Sequence, residues 1–292
     1  MVTVAKGEIQ VGLDLGGHEY EITPELVRDY MDALDDHHEW YTGASPFGGP
    51  VAPAIILHSE VYRFGGWYLP NIWGNLHARQ EWELFAPILV GERVTTRSMI
   101  VDRYVKRSRD YVVNEVQVFG SASGRLLQRG RTHQSFVQEA AQEGLAVDKG
   151  REKSTERRFE VGQGEFAEEI APLEKTVRLE MCKKFSPGVN YHNDLEQAKK
   201  MGFPDIVVQG MMPICFLSEL MTRRFGECWY AGGRMDIRLV NVLWGSDGIA
   251  ACRGVVREFT AEGARRRAQC EVWVEKPDGT KVIVGTASAV VV

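Results

Sequence analysis

The stretch NYHNDLEQAKKMGFPDIVVQGMM, residues 190–212, places proton-handling side chains shortly before an apolar helix. His192 carries an imidazole, the side chain that takes up and releases protons near neutral pH. Asn190 can orient a water or a carbonyl group, and Asp194 can orient the imidazole or cap the helix begun by DLEQAKK. Gly210 stands at the start of the apolar run QGMMPICFLSELMTRRF. The first N–H groups of a helix have no intrahelical acceptor and sit at the positive end of its dipole, so they can polarise a carbonyl on which negative charge develops. Glycine at that point leaves room for a close approach.

Other reactive-looking groups carry less. Asp35-Asp36-His37-His38-Glu39 has ligand-type side chains, but adjacent histidines on one element point apart, so a solvated loop is expected there and no metal. His58, beside Ile55, Ile56 and Leu57, is expected to be a core or interface histidine inside an apolar helix. GSASG at 120–124 has Ala122 where a hydrolase elbow needs serine, and VGLDLGG at 11–17 lacks dinucleotide-loop spacing. No cofactor is expected. Arg265-Arg266-Arg267 could meet phosphates but is expected to form a solvated hairpin tip.

The elements that must position His192 and Gly210 come twice. Residues 59–68 (SEVYRFGGWY) answer 218–230 (SELMTRRFGECWY), and Glu115-Val116 and Gly130 answer Glu271-Val272 and Gly285. Within each half a helical stretch precedes several strands. The run 209–225 is apolar nearly all round, which predicts a buried helix. Met235, Ile237 and Leu239 alternate with Asp236 and Arg238 at strand period, and Pro277-Asp278-Gly279-Thr280 predicts a hairpin turn. This order predicts an α+β fold of two helix-plus-antiparallel-sheet units packed as a pseudodimer. The boundaries expected are an N-terminal unit at 1–138, a charged linker at 139–158 and a C-terminal unit at 159–292. Trp67, Tyr68, Trp73, Trp229 and Tyr230 follow the two helices and could line an acyl or aromatic tunnel or simply pack.

Composition narrows the partners. Thirty-five basic and 40 acidic residues give a net charge of −5, which provides no field for a phosphate backbone, so nucleic acid is not expected. Five cysteines without CxxC spacing suit reduced thiols in a cytoplasmic protein, and no apolar run is long enough to span a membrane.

Residues 190–212 resemble the hydratase motif of MaoC-like dehydratases and R-specific enoyl-CoA hydratases, with Asn190, His192, Asp194, Ala198, Gly202, Phe203, Val208, Gly210 and Met211 matching. In the first half, 36–41 followed by GGPVAPAII resembles the degenerate half of the two-domain members. The resemblance implies a double hotdog fold that binds the acyl thioester of CoA or of a carrier protein between its halves. It further implies hydration of a 2-enoyl thioester, or dehydration of a 3-hydroxyacyl thioester, and a homodimer. On that basis His192, Asn190 and Gly210 are the catalytic candidates, and Asp194, Gln209, Met211, Tyr41 and Trp229 the substrate-binding ones. One departure stands out: the family carries an aspartate five residues before the histidine, where this chain has Pro187. In the first half Asp36 survives and Tyr41 takes the histidine's place. A hotdog thioesterase and a noncatalytic thioester-binding subunit are the alternatives.

Overall fold

The computed structural model describes residues 5–69, 75–137 and 159–291; the expected linker at 139–158 and Trp73 lie outside them. In the first half, β1 (Asp14–Glu21) precedes helix α1 (Pro24–Leu34), and β2 (Leu76–Leu84), β3 (Arg93–Lys106), β4 (Arg109–Gly120) and β5 (Leu126–Val137) follow. The second half begins with β6 (Glu168–Thr176) and four helices: α2 (Leu179–Phe185), α3 (Leu195–Lys200), α4 (Met211–Phe225) and α5 (Glu227–Tyr230). It ends with β7 (Arg234–Leu239), β8 (Ile249–Glu262), β9 (Arg265–Glu275) and β10 (Lys281–Val291).

The ten strands form one antiparallel sheet in the order β1-β3-β4-β5-β2-β7-β10-β9-β8-β6. Read from either edge the order is the same, so the repeated sequence has become a pseudo-twofold with its axis between β2 and β7. Register confirms the equivalence: Val116 faces Gly130 and Gly130 faces Trp82, while Val272 faces Gly285 and Gly285 faces Ile237. Glycine is required at 285, where an added Cβ would come 2.2 Å from the Asp236 carbonyl oxygen. Trp82 and Ile237 are therefore equivalent positions, and residues 79–84 of β2 have their counterparts in residues 234–239 of β7.

Helix α4 forms as its composition predicts, with both termini marked by glycine, Gly210 and Gly226. Ile214, Cys215, Phe216, Leu217 and Leu220 are all at or below 1% exposure, so this helix is the centre of the core rather than its cover. The hairpin at 277–280 also forms: Gly279 takes φ +82° and the Thr280 N–H donates to the Asp278 carboxylate.

The first half departs from expectation. Residues 53–63 do not make a regular α-helix but a coil tightened by i→i−3 bonds, Ile56 to Pro53, His58 to Ile55, Glu60 to Leu57 and Tyr62 to Ser59, with only Glu60–Tyr62 a 3₁₀ turn. β-Branched Ile55, Ile56 and Val61 weaken helix propensity in this segment, and tertiary packing sets its path. His58 is packed as expected, its ring stacked 4.6 Å from Phe185 of the second half.

Candidate active site at the seam

The loop after α2 is braced by its own asparagines. The Asn190 side-chain oxygen accepts the His192 N–H at 2.9 Å, and the Asn193 oxygen accepts the Asn190 N–H at 3.1 Å. Asn193 also donates to the carbonyls of Ser186 and Gly188. Asn190 therefore sets the backbone that carries His192. Asp194 caps α3 by accepting the Gln197 N–H at 2.8 Å, the second of the two roles open to it.

His192 Nδ1 lies 2.7 Å from the Val207 carbonyl oxygen. A carbonyl only accepts, so Nδ1 is the protonated nitrogen and Nε2 holds the lone pair. Burial lowers the imidazole's pKa to about 4, against a smaller opposing effect of the Val207 bond. The ring is therefore neutral at physiological pH, with Nε2 free to accept a proton. Tyr191 packs against it at 3.9 Å between ring centroids and reaches into the field of Tyr62 and Tyr68 from the other half.

Val207 leads directly to the start of α4. The Val207 N–H donates to Tyr191 and the Val208 N–H to Leu243, which fixes the strand that ends at Gly210. Of the first N–H groups of α4, that of Met212 is satisfied by the Gln209 carbonyl, and residue 213 is proline, which has none. Among the described residues, the Gly210 and Met211 N–H groups have no protein acceptor. Gly210 has helical dihedrals, φ −58° and ψ −26°, so its lack of a side chain serves space and not backbone freedom. An added Cβ would lie 2.6 Å from a Leu239 methyl and 3.5 Å from Nδ1 of His77. Gln209 Oε1 is buried without a hydrogen bond, whereas the Met211 side chain is wholly in the core.

His77 was not legible as a site residue. It sits at the start of β2, in the first half, and burial lowers its pKa to about 4. Its Nε2 lies 3.0 Å from Gln80 Oε1, which also accepts the Thr132 hydroxyl at 2.8 Å. Nδ1 is buried and unpartnered, and the ring stands edge-on to Tyr62 at 6.4 Å.

Tyr41 and Trp229 do not join this cluster. The Tyr41 hydroxyl donates to buried Asp36 at 2.9 Å, and the Trp229 Nε1–H donates to Ser218 at 3.1 Å in the core. Among the described residues no hydrogen bond or ring contact joins either to His192, His77 or Gly210. Asp36 faces the middle of α4, where Glu219 pairs with Lys175 at 2.6 Å and with Arg223 at 2.5 Å. Burial raises the pKa of both carboxyls, and Asp36 raises that of Glu219 further, against the lowering effect of Lys175. Asp36 thus belongs to a structural ion cluster and does not pair with His192. The expected solvated tip at 265–267 is only partly so, because Arg267 is buried and bonded to Glu262, Gly232 and Ser288. A groove of about 310 Å³ across β2, β7, β9 and β10, lined by Glu81, Arg234 and Asp236, shares no residue with the seam cluster.

A family model for the FAS1-like dehydratase domain region matches residues 9–120, in the first half of the chain. A MaoC-like dehydratase of known structure superposes with a TM-score of 0.75 at 16% identity, covering 97% of this chain and 98% of that one. The MaoC-like dehydratase from Phytophthora capsici gives 0.70 at 14%, covering 99% and 98%. A conserved hypothetical protein from Mycobacterium tuberculosis, described as a double hotdog, gives 0.60 at 13%, covering 97% of each. The chain has the double hotdog fold of the MaoC-like dehydratases. No curated protein matches it in sequence. In this double hotdog the seam between β2 and β7 is where His77 of one unit meets Gly210 of the other. Among the described residues no helix is long and apolar enough to cross a membrane.

Proposed function

We propose that the protein is a hydro-lyase acting on acyl thioesters, hydrating a 2-enoyl thioester or dehydrating the 3-hydroxyacyl product. One observation carries this reading: two unsatisfied N–H groups at the start of α4 lie beside a loop holding a neutral imidazole with Nε2 free. In hydration, Nε2 of His192 takes a proton from water as the oxygen bonds to Cβ. The π electrons shift through Cα to the thioester oxygen, whose charge the Gly210 and Met211 N–H groups stabilise. The proton then passes from Nε2–H to Cα, and the imidazole returns to its resting form. Dehydration is the reverse. Asn190 supports the reading as the residue that positions His192. The dehydratase family model and the MaoC-like neighbours agree with the reaction class.

The test is a panel of 2-enoyl-CoA and carrier-bound substrates, from crotonyl to bulky aryl chains, followed by ultraviolet loss of conjugation. His192→Ala should lower kcat about 10²- to 10⁴-fold, the usual contribution of one acid–base group. Unchanged turnover in that variant refutes the mechanism. Free thiol release without hydration would make the protein a thioesterase instead.

A further inference from the structure

The loop that carries His192 has Pro187 where a second proton-handling group would be expected, so the site as drawn has one acceptor for a water that has two hydrogens. The opposite half supplies another. His77 Nδ1 is buried, has no partner, and points to within 3.5 Å of where a Gly210 Cβ would be. Its tautomer is set from behind: the Thr132 hydroxyl donates to Gln80 Oε1, the same oxygen accepts from His77 Nε2, and Nδ1 therefore keeps its lone pair.

That chain has no packing rationale. Gln80 and Thr132 are 1% and 2% exposed in the middle of the sheet, and buried polar side chains are unfavourable unless fully bonded. The pseudo-twofold shows what packing alone would choose. With Trp82 equivalent to Ile237 and Gly130 to Gly285, the counterparts of Gln80 and Thr132 are Met235 and Ala287, while His77, beyond the bulge before Arg79, corresponds to the Gly232-Gly233 pair that precedes β7. At the other end of the seam the same sheet positions close with no hydrogen-bonding side chain.

We propose that His77 is a further catalytic residue of the hydration site, whose Nδ1 accepts one hydrogen of the attacking water, or the hydrogen of the substrate's 3-hydroxyl in the reverse reaction, while His192 Nε2 takes the proton that is transferred. It supplies from the opposite half the second hydrogen-bond acceptor that the His192 loop lacks at Pro187. His77 undergoes no net proton change: the proton leaves water for His192 and ends on Cα. This rests on the hydro-lyase reading.

The experiment compares His77→Ala, His77→Gln and His192→Ala in the full chain, measuring kcat and KM on the best enoyl-CoA of the panel. Binding of the saturated acyl-CoA and thermal unfolding are followed in parallel. His77→Ala should lower kcat about 100-fold, with saturated acyl-CoA affinity changed less than about threefold, and His77→Gln, which restores an acceptor oxygen, should recover about tenfold. If His192→Ala is impaired while His77→Ala retains wild-type kcat, the inference fails and the hydro-lyase reading stands. Equal loss in His77→Ala and His77→Gln, tracking a fall in unfolding temperature or in acyl-CoA affinity, assigns His77 a structural role and also overturns it. If the wild-type protein turns over no member of the panel, both fall.

Discussion

The two ends of the seam started from one plan and now differ residue by residue. At one end the Val207 N–H bonds to Tyr191 and the Val208 N–H to Leu243; at the other the Val51 N–H bonds to Trp40 and the Ala52 N–H to Ile88. Counting on from these bonds, Ala54 occupies the place of Gly210, Tyr41 that of His192 and Asp36 that of Pro187. One end keeps the imidazole, the glycine and a polar chain behind His77. The other has Tyr41 bonded to Asp36 and an apolar seam. One copy carries a buried imidazole beside open helix N–H groups, and the other fills the same place with packing and ion pairs.

The buried glutamates of the two core segments make the same point. Glu60 accepts hydrogen bonds from the Tyr20 hydroxyl at 2.7 and 2.9 Å and from Thr96 at 2.8 Å and lies 2.8 Å from His18 Nδ1, whereas its counterpart Glu219 meets the Lys175 ammonium at 2.6 Å. Tyr20 and Lys175 are equivalent: Tyr20 faces Val94 and Lys175 faces Ala250 on matching strands. Hydroxyls and an imidazole at one position and a lysine ammonium at the other solve one burial problem with different sensitivity.

Removing the charge should do the greater damage. Lys175→Met removes the buried cation shared by Asp36 and Glu219, leaves them only the half-exposed Arg223, and should cost about 3–5 kcal/mol in urea unfolding. Lys175→Met with Glu219→Leu should recover much of that, and a double variant no better than the single one would separate the cluster from the fold's stability. Tyr20→Phe should cost about 1–3 kcal/mol, because Glu60 keeps Thr96 as a donor. A loss matching that of Lys175→Met would erase the distinction drawn between the two halves.

The histidines give a pH test of the seam. Burial lowers His192 and His77 to about 4 and His58 to about 3, so each resists protonation in the folded state while the unfolded chain binds a proton near its ordinary pKa. The unfolded state then carries more protons, and stability falls as pH drops from about 6.5 toward 4, by up to about 1.4 kcal/mol per unit for each group. His77→Gln should flatten the slope of unfolding free energy against pH in that window; an unchanged slope would mean that His77 is solvated. The smallest effect concerns the silent end. Placing Tyr41→His in a His192→Ala background, beside the surviving Asp36, should restore turnover less than about tenfold, since Ala54 and the Gly232-Gly233 pair still stand where Gly210 and His77 are needed. Full rescue would show that the imidazole and carboxylate alone make a site.

Much of the fold was legible because its signals are local or repeated. The all-round apolar run of α4, the Asp194 cap and the 277–280 turn act within a few residues, and the repeat announced the pseudo-twofold. His192, Asn190 and Gly210 could be picked from one continuous segment and do lie together. His77 could not, because LHARQ reads as an ordinary strand edge and, apart from Gln80 within it, the partners Thr132, Tyr62 and Gly210 come from three other stretches. The segment 53–63 departs from the helix its composition suggests for a related reason, since its apolar residues answer to contacts across the core and not to helical period.

By itself the sequence determined the twin units, the element at the centre of the second one, and the side chains able to move a proton. Tertiary structure decided which face each twin shows the other: Asp36 was drawn into an ion cluster with Lys175 and Glu219, and His77 was brought to the helix start. The physical reason is that hydrogen-bond and propensity preferences act along a few residues of chain, whereas pairing β2 with β7 fixes distances between side chains remote in sequence, and chemistry depends on those distances.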